Sequence, residues 1–122
     1  MTDRVVRRVA LLFRGCALYG AVVLPLMLLA PPLAVGEEVR LGFVGIALTF
    51  QWVFWIIAGD PGRYRRLMLP GVAEKVVFAI PALALVAQGR AAPGLVPFAL
   101  IDLAMGIGFA WAWVATGRAG EG

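Results

Sequence analysis

The sequence predicts an all-α polytopic membrane protein. Four transmembrane helices form one up-down-up-down bundle, and residues 1–122 make a single membrane domain. Three observations carry this reading. Hydrophobic residues make up 62% of the chain and charged residues only 15%, with a mean hydropathy of +0.92, whereas a water-soluble domain is about half apolar and about a quarter charged. The apolar residues fall into four runs near the length a bilayer requires, about 17–25 residues. The charges collect between and beside those runs, with lysine and arginine mostly on one side.

The first run is VALLFRGCALYGAVVLPLMLLA, residues 9–30, interrupted by Arg14. It follows a basic stretch, TDRVVRR, as a signal peptide would, but it exceeds the apolar length of about 7–15 residues usual for one. A retained span is therefore expected. The second run is LGFVGIALTFQWVFWIIAG, residues 41–59, and the third is VAEKVVFAIPALALVAQ, residues 72–88, with Glu74 and Lys75 near its start. The fourth is LVPFALIDLAMGIGFAWAWVAT, residues 95–116, and contains Asp102. Apolar residues surround each predicted helix, which marks spans and not amphipathic surface helices. Short connections make neighbouring helices antiparallel. Pro32, Pro61, Pro70 and Pro93 are expected to stop helices at the membrane boundary.

Lysine and arginine set the expected orientation. Arg4, Arg7, Arg8, Arg63, Arg65, Arg66 and Arg118 fall on one side, with Arg14 and Lys75 just inside it; Arg40 and Arg90 alone fall on the other. Both termini and the middle loop are thus expected in the cytoplasm. Trp52, Trp55, Trp111 and Trp113 lie toward the same side, where indoles favour the headgroup level. Ten arginines to one lysine, with abundant Ala, Gly, Val and Pro, point to a GC-rich bacterial genome and so to a bacterial inner membrane.

A net charge of +4 and a pI near 10.2 would suggest nucleic acid in a soluble protein. Here the cations flank apolar runs, so membrane lipids are the expected partners and nucleic acid is not. Cys16 is the single cysteine. It rules out an intrachain disulfide and is expected to pack as a small hydrophobe. The chain has no histidine, which removes the commonest metal ligand and the usual general base. No nucleophile–base pair, phosphate-cradling loop or metal cluster is evident. The GIG at 106–108 lies mid-membrane with no strand before it, so it is packing and not a nucleotide fingerprint. No cofactor, metal or catalytic residue is expected.

The most charged stretch, IAGDPGRYRRLMLPGVAEKVV at 57–77, supports two readings. In one, GDPG is a turn, with Gly59 and Gly62 relieving strain, and Arg63, Arg65 and Arg66 hold the loop at the membrane surface. Each arginine then contributes about 1 kcal/mol near anionic lipid. In the other, Glu74 and Lys75 mark a site. Glu74 lies about 5 Å into its span and Arg14 about 8 Å into span one from the same face. Pairing lowers the cost of a charge in the bilayer, so Arg14 and Glu74 are expected to pair inside the bundle, with Lys75 snorkelling to the interface.

Further inside lie Tyr19, Thr49, Gln51 and Asp102. An ionisable group in a span is a functional-site hypothesis by default. Asp102 leads, because no cation is expected at its depth. The candidate ligand-binding set is Arg14, Tyr19, Gln51, Glu74 and Asp102, with interhelical hydrogen bonding as the structural alternative. Ala104, Gly108 and Ala112 form a small-residue row suited to a close helix contact, within the chain or in an oligomer. Pro25 and Pro81 free the carbonyls of Ala21 and Val77 and are expected to kink their spans. A weak repeat relates FQWVFWIIAGDPGR at 50–63 to FAWAWVATGR at 109–118.

The run DPGRYRRLMLPGVAEK, a short apolar stretch, QGR, and DLAMG in the last helix resemble small uncharacterised bacterial four-helix membrane proteins, DoxX-like in size and layout. The resemblance covers about residues 50–108. It implies a fold and assigns no residue an activity. Three roles follow. The first is a non-enzymatic accessory or scaffold protein, with a homo-oligomer or membrane-protein partner. The second is a binder of a lipid or other hydrophobic small molecule within the bundle. The third is a small proton-coupled transporter. Small multidrug exporters, similar in length, rely on a carboxylate in the first span, where this chain has Arg14 and no acid.

Overall fold

The computed structural model describes residues 2–121, with side chains through Arg118. All regular structure among them is helical: α1 (Asp3–Leu26), α2 (Glu37–Gly59), α3 (Met68–Ala87) and α4 (Leu95–Glu121), with short 3₁₀ turns at Met27–Leu29 and Arg65–Leu67. Among the described residues, four helical segments are long and apolar enough to cross a membrane. The all-α class expected from the sequence is the one the chain has.

Helix boundaries depart from the apolar runs where capping chemistry overrides hydropathy. The first helix begins at Asp3, because Thr2 Oγ1 accepts the Val5 N–H at 3.4 Å and caps it. Helix α2 begins at Glu37, after Gly36 at φ 84°. Helix α3 begins at Met68, so Pro70 sits inside its first turn and does not stop it; no intrahelical donor is needed there. Pro25 ends α1 in a 3₁₀ turn, whereas Pro81 lies inside a continuous α3. Gly89, at φ 69°, closes α3 with bonds from Gly89 N–H to Val86 O and from Arg90 N–H to Leu85 O, a Schellman motif. Glycine's conformational freedom is used at Gly36 and Gly89, and not at Gly59 or Gly62.

The helices associate as two hairpins. Contacts along α1–α2 and along α3–α4 are extensive, α1 also meets α4, and α2 and α3 meet little. One end of the assembly is densely packed. Phe13, Phe54 and Phe109 are fully buried there with Val9, Cys16, Ile57, Met68 and Ala112. The Phe13 and Phe109 rings stack at 4.3 Å with an 11° interplanar angle, and Phe54 tilts against both. Gly71 leaves space for Phe54, and Gly108 lies against Leu12. Gly108 and Ala112 of the small-residue row thus serve contacts within the chain, while Ala104 faces outward. The two F-x-W segments do not occupy matching places: Phe109 is fully buried, Phe50 only half-buried, and Phe54 is the aromatic of α2 that meets Phe109.

Arg65, expected at the membrane surface, turns inward instead. Its Nη2 and Nε donate to Trp113 O at 2.7 and 3.0 Å, Nε also donates to Thr116 Oγ1 at 3.1 Å, and the guanidinium lies 4.4 Å from the Trp113 ring. The planar fork matches these acceptors and stacks on the indole. The missing side chain of Gly117 leaves space for it. Arg63 and Arg66 are exposed, and Asp60 Oδ1 accepts the Arg63 N–H at 3.3 Å, closing the GDPG turn.

At the opposite end Arg40 joins the first hairpin. It forms a two-pronged pair with Glu37, at 2.5 and 3.0 Å, and its Nη1 donates to Met27 O at 2.8 Å. Glu37 also accepts the Leu33 N–H at 2.8 Å. These bonds tie backbone groups of the segment after α1, the Met27 carbonyl and the Leu33 N–H, to the first turn of α2.

Candidate functional site

Above the aromatic cluster the two hairpins part. Between them lies a half-open cavity of about 650 Å³, lined by residues of all four helices. Leu26, Met27, Phe43 and Leu95 line it toward the α1–α2 and α3–α4 connections, Val23, Ala47, Phe78 and Phe98 line its walls, and its polar residues are Tyr19, Gln51, Glu74, Lys75 and Asp102.

Lys75 organises that polar floor. It is 4% exposed. Its Nζ stands 3.4 Å from Glu74 Oε2 and 3.7 Å from Asp102 Oδ1, and 5.3 Å from the centre of the Phe54 ring. The Lys75 stem passes Gly106, one turn along α4 from Asp102. The ammonium is thereby carried up to the carboxylate. Lys75 therefore does not snorkel outward, and Asp102 has a cation at its depth, contrary to expectation. The side chain's reach corrects both readings: depth was assigned from backbone rise, whereas a lysine displaces its charge by more than a helical turn.

The expected Arg14–Glu74 pair does not form. Arg14 is exposed, with its guanidinium 5.3 Å from the Trp55 ring centre. The rise per residue gave both residues the same depth, but the 3.6-residue period sets the face. Phe13, Cys16, Ala17 and Gly20 point inward, so Arg14 falls on the outer side toward α2. Thr49 is also outside the site, exposed and donating to Gly45 O at 3.0 Å.

Gln51, Glu74, Asp102 and Tyr19 do come together around the cavity. Gln51 is 5% exposed, and its Nε2 donates to Ala47 O at 2.8 Å. That bond orients the amide and leaves Oε1 buried without a hydrogen-bond partner among the described residues. Gly20 makes room for this amide; a β-carbon there would overlap it. Glu74 Oε2 is likewise buried, and at 3.4 Å from the ammonium it makes an ion pair but no hydrogen bond.

The arrangement combines apolar walls with two carboxylates, one ammonium and one amide, and can hold an amphipathic molecule by its polar end. Sequence reasoning missed the central part of Lys75. A signal for it was available: Glu74 and Lys75 on one helix and Asp102 on the next are three ionisable groups on two consecutive helices.

No protein-family model, curated protein or solved structure matches the chain.

Proposed function

We propose that this chain is a non-enzymatic integral membrane protein that binds a hydrophobic or amphipathic small molecule between its two hairpins. The observation that carries the reading is the cavity of about 650 Å³ formed by all four helices, apolar in its walls and polar at its floor. Small-molecule sites have this size and this division of lining. Helix association alone accounts for a Lys75–Asp102 pair but not for the space beside it.

The proposal includes a bacterial inner-membrane location with both termini cytoplasmic, argued from the arginine distribution. The cavity then opens toward the outer leaflet. The DoxX-like resemblance bears on the fold and adds no ligand. A scaffold or transporter role has less support. Gly108 and Ala112 are engaged within the chain, and proton-coupled uptake would have to depend on Asp102, which is already paired with Lys75.

Native mass spectrometry of protein released gently from its own membrane tests the reading. A specific added mass is expected on wild type and on Arg14→Ala, and is expected to be lost from Asp102→Ala. A bare protein, or an added mass matching another polypeptide, would reject it in favour of the scaffold.

A further inference from the structure

We infer that the ligand is a hydrophobic amine, held by its ammonium head at the cavity floor, and that hydrophobic acids and phosphate-bearing lipids are excluded. This deepens the binding function proposed above and rests on it.

The charge count comes first. The cavity's described lining holds two carboxylates, Glu74 and Asp102, and one ammonium, Lys75. With all three ionised, the floor carries one negative charge in excess. Among the described residues no other charged side chain lines it. Arg14 faces outward over Trp55, and Arg40 is matched by Glu37. A cation at the floor neutralises the excess; an anion adds to it in a setting of low dielectric, where like charges repel strongly.

The second observation is independent of charge. Gln51 Oε1 is a buried acceptor with no donor among the described residues, on a side chain more than nine-tenths buried that lines the same cavity. The orientation of the amide is fixed, because its Nε2 is committed to Ala47 O. Glu74 Oε2 is a second buried oxygen without a hydrogen bond. An ammonium supplies three donors and accepts nothing. A carboxylate or phosphate supplies only acceptors and leaves both oxygens unsatisfied.

Position completes the argument. The two acids meet Lys75, whose ammonium stands 5.3 Å from the centre of the Phe54 ring in the aromatic cluster, and apolar residues make up the rest of the lining. A molecule that fits puts a compact cationic head at the floor and its hydrocarbon toward the mouth.

The test is competition binding by the full chain in phosphatidylcholine nanodiscs, with dodecylamine, dodecanol and laurate as probes, read by native mass spectrometry. Dodecylamine is expected to be retained at least about tenfold over laurate, and Asp102→Asn or Glu74→Gln to weaken it by about tenfold each, the scale of one charged hydrogen bond. Ala47→Trp, which fills the cavity wall, is expected to abolish it. Laurate or dodecanol binding as well as the amine, with Ala47→Trp still abolishing binding, would overturn this inference and leave the binding function standing. So would amine binding indifferent to both carboxylate variants but lost in Ala47→Trp. Failure of all three probes to bind, or binding that ignores Ala47→Trp, would remove both.

Discussion

Gly106 of α4 lies directly against the stem of Lys75: a β-carbon at position 106 would stand 3.3 Å from the Lys75 Cβ. The absence of a side chain at residue 106 lets the only lysine of the chain rise between two helices and meet Asp102. Gly106→Ala is expected to be nearly neutral, because a helix-propensity gain of about 1 kcal/mol offsets the crowding. Gly106→Val is expected to destabilise by about 2 kcal/mol, as overpacking does. Thermal unfolding in one detergent would rank the two.

Lys75→Met removes the only cation beside Glu74 and Asp102 in the cavity. Breaking a buried pair from one side costs about 3–5 kcal/mol. Adding Asp102→Asn to Lys75→Met is expected to recover part of that loss. A double-mutant cycle of melting temperatures checks it; strictly additive losses would mean that the pair contributes nothing.

Gly20 and Gln51 predict a linked loss of stability and binding. A β-carbon at position 20 would overlap the Gln51 amide, and turning that amide gives up its buried bond to Ala47 O. Gly20→Ala is expected to destabilise by about 1–3 kcal/mol, the cost of a buried polar group left unsatisfied. Amine retention should fall with the melting temperature, and a variant that lost neither would show that the amide is not held as described.

Arg65→Ala is expected to cost about 1.5–3 kcal/mol, the range for hydrogen bonds to a charged group. Arg65→Lys should rescue little, since an ammonium cannot reproduce the fork and the stacking. Arg63→Ala and Arg66→Ala, both exposed, should leave the melting temperature unmoved and lower the number of anionic over zwitterionic lipids retained on the protein in native mass spectra.

The proposed orientation is open to labelling by a membrane-impermeant thiol reagent. Cys16 is buried and should stay silent in intact cells. Arg90→Cys is expected to label from outside, and Arg63→Cys only after the membrane is opened. The reverse pattern would invert the protein.

Hydropathy made the four helices legible, because a run of apolar residues on every face admits no other use. Gln51 and Asp102, which both line the cavity, were legible as out-of-place polar groups for the same reason: polarity within such a run is costly. Rotation about the helix axis was not. Arg14 and Glu74 matched in depth, yet facing is decided by which small and aromatic residues pack, and Phe13 and Gly20 turn Arg14 away. Arg65 could not be told from Arg63 and Arg66 by composition. What singles it out is Trp113 and Thr116 waiting 48 and 51 residues further along the chain, a pairing no local pattern announces. Side-chain reach hid Lys75, whose charge and backbone sit at different levels.

The arginine staple between Glu37 and Met27 also bears on how the chain is made. Its charge is matched, and its bonds completed, within residues 27–40, just as Lys75 finds both of its acids within the second hairpin. Arg40 and Lys75 thus each meet a carboxylate within their own pair of helices. A helix leaving the translocon alone would bear these charges naked into lipid, whereas a pair leaving together carries the two cations already paired. Insertion in steps of two helices therefore leaves the least charge bare to lipid, and the stacking of Phe109 on Phe13 and its tilted contact with Phe54 are what join one pair to the other.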